Sequence, residues 1–140
     1  MYNRNLEKMK KIMNLCAVII AFVAFTAMQT DNKAEFKFTA ETHDFGKIPQ
    51  GKAVSYEFKF TNVGEEPLII TAVEPACGCT IADFTKTPVK KGQTGSITLT
   101  YNAAAMSAFA KAATVKSNSK TPVKILYLKG EVIENKNASL

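Results

Sequence analysis

In the stretch Ser55-Tyr-Glu-Phe-Lys-Phe-Thr61, aromatic side chains alternate with polar ones. Successive side chains of a β-strand point to opposite faces of a sheet, so this alternation places one face in a core and the other in water. The same period of two recurs at Ile97, Leu99 and Tyr101, which alternate with serine and threonine. Both stretches are therefore predicted to be half-buried strands.

Two other stretches are more continuously apolar and rich in β-branched residues, which is typical of strands nearer the middle of a sheet. They are residues 68–73 and residues 123–128, and the second is expected to continue to Ile133. Seven or eight short strands in roughly 100 residues predict an all-β fold, an immunoglobulin-like antiparallel β-sandwich of 7–8 strands. Turn-forming proline, glycine and asparagine separate the strands at 49–51, 62–67, 90–93 and 118–122.

The beginning of the chain differs from this pattern. A basic stretch precedes an uncharged, largely apolar run of 14 residues at 15–28. That run is shorter than the roughly 20 residues of a membrane-spanning helix and fits the apolar core of a secretory signal. Residues 1–29 are therefore predicted to be a hydrophobic signal helix, either cleaved as a signal peptide or retained as a signal anchor. Cys16 opens the apolar run, whereas a lipidated cysteine would end it, so a lipid anchor there is not expected.

These patterns divide the chain into four predicted parts. Residues 1–29 form the signal, 30–34 a linker, 35–133 the β-sandwich and 134–140 a polar tail. The rest of the chain beyond the signal is expected to be exported, to the periplasm or the cell envelope. Contact with the membrane is expected only through the signal or anchor.

The amino-acid composition limits the classes of function that this chain could have. The chain has 140 residues, of which 46% are hydrophobic and 21% charged, which suits one globular domain and excludes a multidomain enzyme. Without the four basic residues among the first eleven and without Glu7, 14 basic residues stand against 11 acidic ones, a net charge of +3. This charge gives no support for nucleic-acid binding. No Ser-His-Asp set or pair of carboxylates indicates an enzyme, and no cofactor is expected.

The most distinctive chemistry is found in Cys77-Gly78-Cys79-Thr80, which follows a strand ending near Pro75. Together with four other segments it resembles the DUF1573 family, small exported bacterial proteins that are abundant in Bacteroidetes and related to immunoglobulin-like modules of the ASH/MSP kind. The resemblance covers about residues 35–133 and implies the sandwich fold, but it supplies no activity. The other segments are His43-Asp-Phe-Gly-Lys-Ile-Pro-Gln-Gly51, Phe58-Lys-Phe-Thr-Asn-Val-Gly-Glu-Glu-Pro-Leu-Ile-Ile70, Lys91-Gly92, and Val115-Lys-Ser-Asn118 followed by Leu128-Lys-Gly130.

One stretch departs from the family pattern. Such domains tend to have proline and glycine in the connection before the next-to-last strand, whereas this chain has Ala103-Ala-Ala-Met-Ser-Ala108. These residues favour helix but are too few to form a stable helix alone. The stretch is therefore expected to be a connection with one helical turn.

The two cysteines allow more than one interpretation. Once the signal is removed they are the only cysteines, so an intramolecular disulfide joins Cys77 to Cys79 or does not form. Such a disulfide closes a very small loop and would be relatively easy to reduce, and Gly78 would permit unusual dihedrals there. The familiar motif of thiol oxidoreductases, however, has two residues between the cysteines, at the start of a helix that is not predicted here.

The other interpretations are a metal site and a structural bend. Cys77 and Cys79 could serve as soft ligands for copper(I), with His43 or Met106 as a third ligand. Zinc would need four ligands and usually a wider spacing of cysteines. In the structural interpretation, small and weakly polar cysteine side chains pack where the chain bends at the end of the sandwich.

The leading functional hypothesis is an exported, noncatalytic binding or scaffolding module of the bacterial cell envelope. Its contacts are expected at an exposed strand edge or at the loops that include Cys77 and Cys79, and its partner is expected to be another envelope protein. The alternative hypothesis is a metal-handling (copper) or thiol-redox protein that uses the Cys-Gly-Cys loop.

Overall fold

The computed structural model of this chain describes residues 7–11 and 32–135. The chain divides into two compact units, Met1–Asp31 and Asn32–Leu140. In the first unit, residues 7–11 are helical and exposed. The apolar run of the predicted signal, Cys16 and residues 136–140 of the predicted tail lie outside the described residues. No helix within the described ranges is long and apolar enough to cross a membrane.

The second unit is a sandwich of two four-stranded sheets, which confirms the predicted all-β fold. The first sheet has the order β1-β3-β6-β5 and the second has the order β2-β8-β7-β4. The eight strands are β1 (Phe36–Phe38), β2 (Thr42–Pro49), β3 (Val54–Asn62), β4 (Ile70–Pro75), β5 (Thr80–Phe84), β6 (Thr94–Tyr101), β7 (Ala108–Ser117) and β8 (Val123–Ile133).

One strand pair corrects the prediction of a wholly antiparallel sandwich. β2 runs parallel to β8, with Thr42 opposite Tyr127 and Pro49 opposite Ile133. The remaining strand pairs are antiparallel. The reason is topological: the chain leaves the first sheet after β1, crosses at residues 39–41, and enters the second sheet beside its last strand. Because β2 and β8 are far apart in sequence, no tight turn has to join them.

The predicted alternation places the core between the sheets. Phe58 and Phe60 of β3 are buried, and Ile97, Leu99 and Tyr101 of β6 are buried opposite them. The intervening residues of β3 are exposed or half-buried. In the second sheet the core receives, among others, Ile70, Phe109, Ala113, Val115, Leu126, Leu128 and Val132. No buried side-chain nitrogen or oxygen within the described residues lacks a hydrogen-bond partner.

The position of β4 corrects a second prediction, because it lies at the edge of its sheet and not near the middle. Ala76 N donates to Ala112 O at 2.9 Å, and this bond fixes which residues of β4 face β7. In the resulting alternation, Val73 and Pro75 turn their main-chain groups away from β7. Pro75, which has no N–H, is therefore tolerated only because it faces an open edge. The interior position predicted for residues 123–133 is confirmed for β8.

The helical turn expected at residues 103–108 is absent, because this stretch is a bent connection that leads into β7. Its carbonyl groups are bonded elsewhere: Ala103 O accepts from Gly51 N at 2.9 Å and Ala104 O accepts from the Gln50 side chain at 2.9 Å. Ala103 is buried and has a φ of 50°. These carbonyl oxygens therefore bond the β2–β3 turn and do not accept the hydrogen bonds of a helical turn.

Candidate functional site at the cysteine end

The two ends of the sandwich are distinguished by the loops that lie there. We call one the cysteine end; it contains the loops 50–53, 76–79 and 102–107. We call the other the asparagine end; it contains residues 32–35 and the loops 63–69, 85–93 and 118–122. β3 runs from the cysteine end at Val54 to the asparagine end at Asn62, and β6 runs back beside it.

At the cysteine end, residues 76–79 carry the chain from the edge of one sheet to the edge of the other, between β4 and β5. Cys77 and Cys79 form a disulfide, with their Cα atoms 5.3 Å apart. Asn102 N donates to Cys79 O at 3.0 Å, and this bond ties the corner to the first sheet. The disulfide therefore lies at a corner where the chain changes sheets.

Thr80, the last residue of the motif, lies next to the disulfide on its buried side. It is buried, and its Oγ1 lies 3.9 Å from the Sγ of Cys79 and 4.0 Å from the Sγ of Cys77. Cys79 packs against the core, and Cys77 is half-buried. Gly78 is exposed, does not adopt a positive φ, and a Cβ added there would meet no atom within 4 Å. The expected need for unusual dihedrals at Gly78 is therefore not seen in the disulfide-bonded form.

The structure does not bring His43 to the cysteines. His43 lies in β2, at the opposite edge of the second sheet from β4. Its ring stacks on Tyr56 with 3.7 Å between ring centroids and meets the edge of Phe45 at 4.6 Å. With neighbouring strands about 4.8 Å apart, three strand spacings separate β2 from β4, roughly 14 Å.

The predicted metal ligands are thus dispersed in the disulfide-bonded form. Within the described part of the chain, no group of three or more His, Cys, Asp or Glu residues could hold a metal ion. Disulfide sulfurs are also not thiolates, the form in which cysteine binds metal. Met106 lies in the 102–107 loop with 58% of its surface exposed. Metal binding by Cys77, Cys79 and His43 stays a prediction for the reduced protein.

Large apolar side chains are exposed at both ends of the sandwich, but the two most exposed ones, Ile81 and Met106, lie at the cysteine end. Ile81, on the outer face of β5 just after the disulfide, is 71% exposed. Ile133, at the last residue of β8, is 40% exposed, and its carbonyl accepts from Gln50 N at 2.9 Å. Large apolar side chains are usually withdrawn from water, so their accumulation beside a loop corner is typical of a contact surface.

At the asparagine end, the central residue is one that the sequence analysis did not single out. Asn62 is fully buried, and its Oδ1 accepts from Glu35 N at 3.2 Å and from Gly64 N at 2.9 Å. Its Nδ2 donates to Glu66 O at 2.7 Å and to Val89 O at 2.9 Å. The amide thus uses two acceptor positions and both donors, and it joins three separate segments of the chain.

A second asparagine repeats this arrangement nearby. Asn118 Oδ1 accepts from Ile69 N at 2.8 Å, and its Nδ2 donates to Pro67 O at 2.9 Å. Both asparagines lie in the motifs that carry the family resemblance, each at the point where a strand gives way to a turn. That placement was the available signal for a structural role, because side-chain amides bond the main chain at turns.

Comparison with known proteins identifies relatives by fold. The family described as "Protein of unknown function (DUF1573)" matches residues 36–132. No curated protein matches the chain significantly. A protein of unknown function from Porphyromonas gingivalis W83 is 17% identical, with a TM-score of 0.64, over 77% of this chain and 51% of that one. The chain therefore spans about half the length of that protein.

Two further structures are similar. The ASH/PapD-like domain 7 of human CEP192 is 13% identical with a TM-score of 0.59, over 79% of this chain and 93% of that one. The VesB protease of Vibrio cholerae is 15% identical with a TM-score of 0.58, over 79% of this chain but 35% of that one. At these identities the similarity establishes the sandwich fold alone.

Proposed function

Because this chain belongs to the DUF1573 family and its sandwich is of the PapD-like kind, we propose that it is an exported, noncatalytic binding or scaffolding module of the bacterial cell envelope. The family membership was predicted from the sequence and is confirmed. The likeness to VesB extends over only 35% of that protease, so it does not carry protease activity to this chain.

The observation that carries the proposal is the contrast between the two ends of the sandwich. At the asparagine end, the side-chain amides of Asn62 and Asn118 form hydrogen bonds with the protein's own main chain. At the cysteine end, Ile81 and Met106 expose 71% and 58% of their surfaces, against 49% and 41% for Val63 and Ile69 at the asparagine end. Loops held by a rigid scaffold are common binding elements, and exposed apolar side chains add contact area. The partner therefore contacts the cysteine end.

Two features support export. The basic stretch and apolar run at residues 1–29 have the arrangement of a secretory signal. The Cys77–Cys79 disulfide is compatible with an oxidising compartment outside the cytoplasm, where disulfides persist. The proposed location in the cell envelope agrees with both features.

Site-directed photo-crosslinking from whole cells tests the contact surface. A crosslinking residue at position 106 is expected to give a discrete adduct with an envelope protein, and the same residue at Lys90, an exposed position of the asparagine end, serves as the matched control. Adducts of equal yield from both positions, or no adduct from position 106, would contradict the proposed surface. Fractionation of the same cells tests the compartment, because recovery in the cytoplasm would contradict export.

Metal analysis of the purified protein tests the alternative hypothesis. Copper bound at unit stoichiometry and lost on Cys77→Ser would replace the scaffold proposal with a metal-handling one. Absence of copper, together with unchanged crosslinking in Cys77→Ser, would support the binding module.

A further inference from the structure

The edge of β8 is only partly covered by its neighbour. Pairing between β2 and β8 begins with Thr42 opposite Tyr127. The preceding stretch of chain, β1, lies in the other sheet, and the chain crosses over at residues 39–41. Residues 123–126 of β8 therefore have β7 on one side and no strand on the other within the described chain. We call these residues the bare edge.

Hydrogen bonds at both ends of β8 show which main-chain groups the bare edge offers. Ser117 N donates to Pro122 O at 2.9 Å and Val132 N donates to Ser107 O at 2.9 Å. By the alternation of an antiparallel pair, even-numbered residues of β8 bond β7, whereas Val123 and Ile125 turn their N–H and C=O groups the other way. Tyr127, next in that series, donates its N–H to Glu41 O at 2.9 Å. The described chain supplies no such partner to Val123 or Ile125.

The side chains at the bare edge are apolar on the outer face. Val123 is 52% exposed, Ile125 43% and Tyr127 38%. They form a stripe along one face of β8, because every second residue of a strand points the same way. An exposed strand edge flanked by apolar side chains is a template for another strand.

The open edges of β2, β4 and β5 each carry a feature that hinders such pairing. In β4, Pro75 has no donor and faces the open side. In β5, Phe84 N donates to Oδ1 of Asp83 at 2.9 Å, so that donor is already used. In β2, a register shift between Asp44 and Lys47 bends the strand. Residues 123–126 contain no proline and no bulge.

Lys124 determines which strand fits. It lies between Val123 and Ile125 on the opposite face, is 29% exposed, and its Nζ is 2.9 Å from Oε1 of Glu41. If a second copy of this chain paired antiparallel so that Val123 met Ile125, the two Lys124 residues would be directly opposite each other. Like charges in that position are destabilising. The Lys124 ammonium has three donors and Glu41 uses one of them, so Lys124 can also bind a carboxylate on a strand opposite it.

We propose that the bare edge binds a short extended segment of another protein as an added strand, with an acidic residue between two apolar ones. The main chain of the segment bonds Val123 and Ile125, its apolar residues extend the Val123–Ile125–Tyr127 stripe, and its acidic residue faces Lys124. The segment is short because Glu41 occupies the next position along the edge. This surface is distinct from the cysteine end, so the two proposals succeed or fail independently.

Binding of two fluorescent peptides to the full chain, measured by anisotropy, tests the proposal. One peptide alternates valine with glutamate, and the other has lysine in place of glutamate. The glutamate peptide is expected to bind up to about fivefold more tightly, as one favourable charge contact across the strands would give. Equal affinity for both peptides, or no binding of either, would overturn the proposal.

A pair of proline variants locates the binding. Ile125→Pro removes the outward N–H without touching the β7 ladder, as Pro75 already does in β4, and is expected to weaken binding by about tenfold or more. Ala82→Pro removes an outward N–H from the open edge of β5 and is expected to bind the glutamate peptide like the unmodified chain. Unchanged affinity in Ile125→Pro would overturn the proposed site.

Two further measurements keep the test decisive. If Ile125→Pro does not fold, as judged by circular dichroism, Lys124→Glu is expected to reverse the preference toward the lysine peptide, and an unchanged preference would overturn the proposal. Sedimentation of the unmodified chain tests whether a second copy of this chain, in place of a foreign segment, occupies the bare edge. A concentration-dependent dimer that is lost in Ile125→Pro would show that a second copy, and not a foreign segment, occupies the edge.

Discussion

The two ends of the sandwich are built from equally distinctive motifs, yet they use them differently. Phe-Thr-Asn-Val-Gly, which ends with Gly64, places Asn62 in a buried position where all of its bonds go to the protein itself. Cys-Gly-Cys-Thr, which ends with Thr80, places a disulfide at a half-exposed corner beside exposed apolar residues. A recognisable motif can therefore mark a requirement of folding at one end and a surface open to partners at the other.

The largest expected effect comes from removing the amide at the asparagine end. Asn62→Ala removes four hydrogen bonds at a buried position and leaves three main-chain groups without the partner that Asn62 supplied, because Val89 O keeps its bond from Leu68 N. It is expected to lower the free energy of unfolding by on the order of 3 kcal/mol. Urea denaturation measures this. Asn118→Ala, with two bonds lost at an exposed residue, is expected to cost less. A loss below about 1 kcal/mol for Asn62→Ala would remove the basis of the comparison.

The second largest effect is expected from one of two matched glycine substitutions, one at each end of the sandwich. A Cβ at Gly64 would lie 2.2 Å from Lys33 O, a main-chain atom that cannot easily move, whereas a Cβ at Gly78 would meet nothing within 4 Å. Gly64→Ala is expected to destabilise by about 2 kcal/mol, and Gly78→Ala by no more than about 0.5 kcal/mol. Thermal unfolding of the two variants measures the difference. Equal effects would mean that both motifs serve packing.

Loss of the disulfide is expected to have a moderate effect. The bond closes a loop of only a few residues, so the chain-entropy relation gives a stabilisation of about 1–2 kcal/mol, less than for a longer loop. Denaturation with and without a reductant measures it, and a variant with Cys77→Ser and Cys79→Ser is the control in which the reductant should have no effect. A loss above about 4 kcal/mol would make the cysteine end a structural staple.

The smallest effect on stability is expected at the exposed apolar residues of the cysteine end. Met106→Ser is expected to change the free energy of unfolding by no more than about 0.5 kcal/mol, because the side chain is 58% exposed. Its effect should instead appear as weaker crosslinking of the partner from a probe at Ile81. Unchanged crosslinking together with a large loss of stability would assign Met106 to packing.

Structural features that depend on local sequence pattern could be predicted from the sequence, whereas features that depend on contacts between distant residues could not. The alternation in β3 and β6 followed from side-chain periodicity alone. The edge position of β4 and the parallel entry of β2 depend on which strands meet, and periodicity carries no such information. The helical turn expected at 103–108 was wrong because its acceptors are used by Gln50 and Gly51, about 50 residues earlier.

The candidate site was predicted in part. The position of Cys77–Thr80 between two strands could be read from the sequence, but whether the cysteines were joined could not, because spacing permits both states. The place of His43 depended on the strand order, which puts β2 and β4 at opposite edges. The role of Asn62 was hidden because Glu35 and Val89, two of its partners, each lie 27 residues away in sequence.

The pairing of β2 with β8 has a consequence for the order of events during synthesis. Thr42 cannot find its partner Tyr127 until nearly the whole polypeptide has emerged, and contacts of such long range slow folding to the range of milliseconds to seconds. If the chain is exported as we propose, it therefore stays unfolded while it passes through a translocation pore. The sandwich would then fold on the far side of the membrane, after its last strand has arrived.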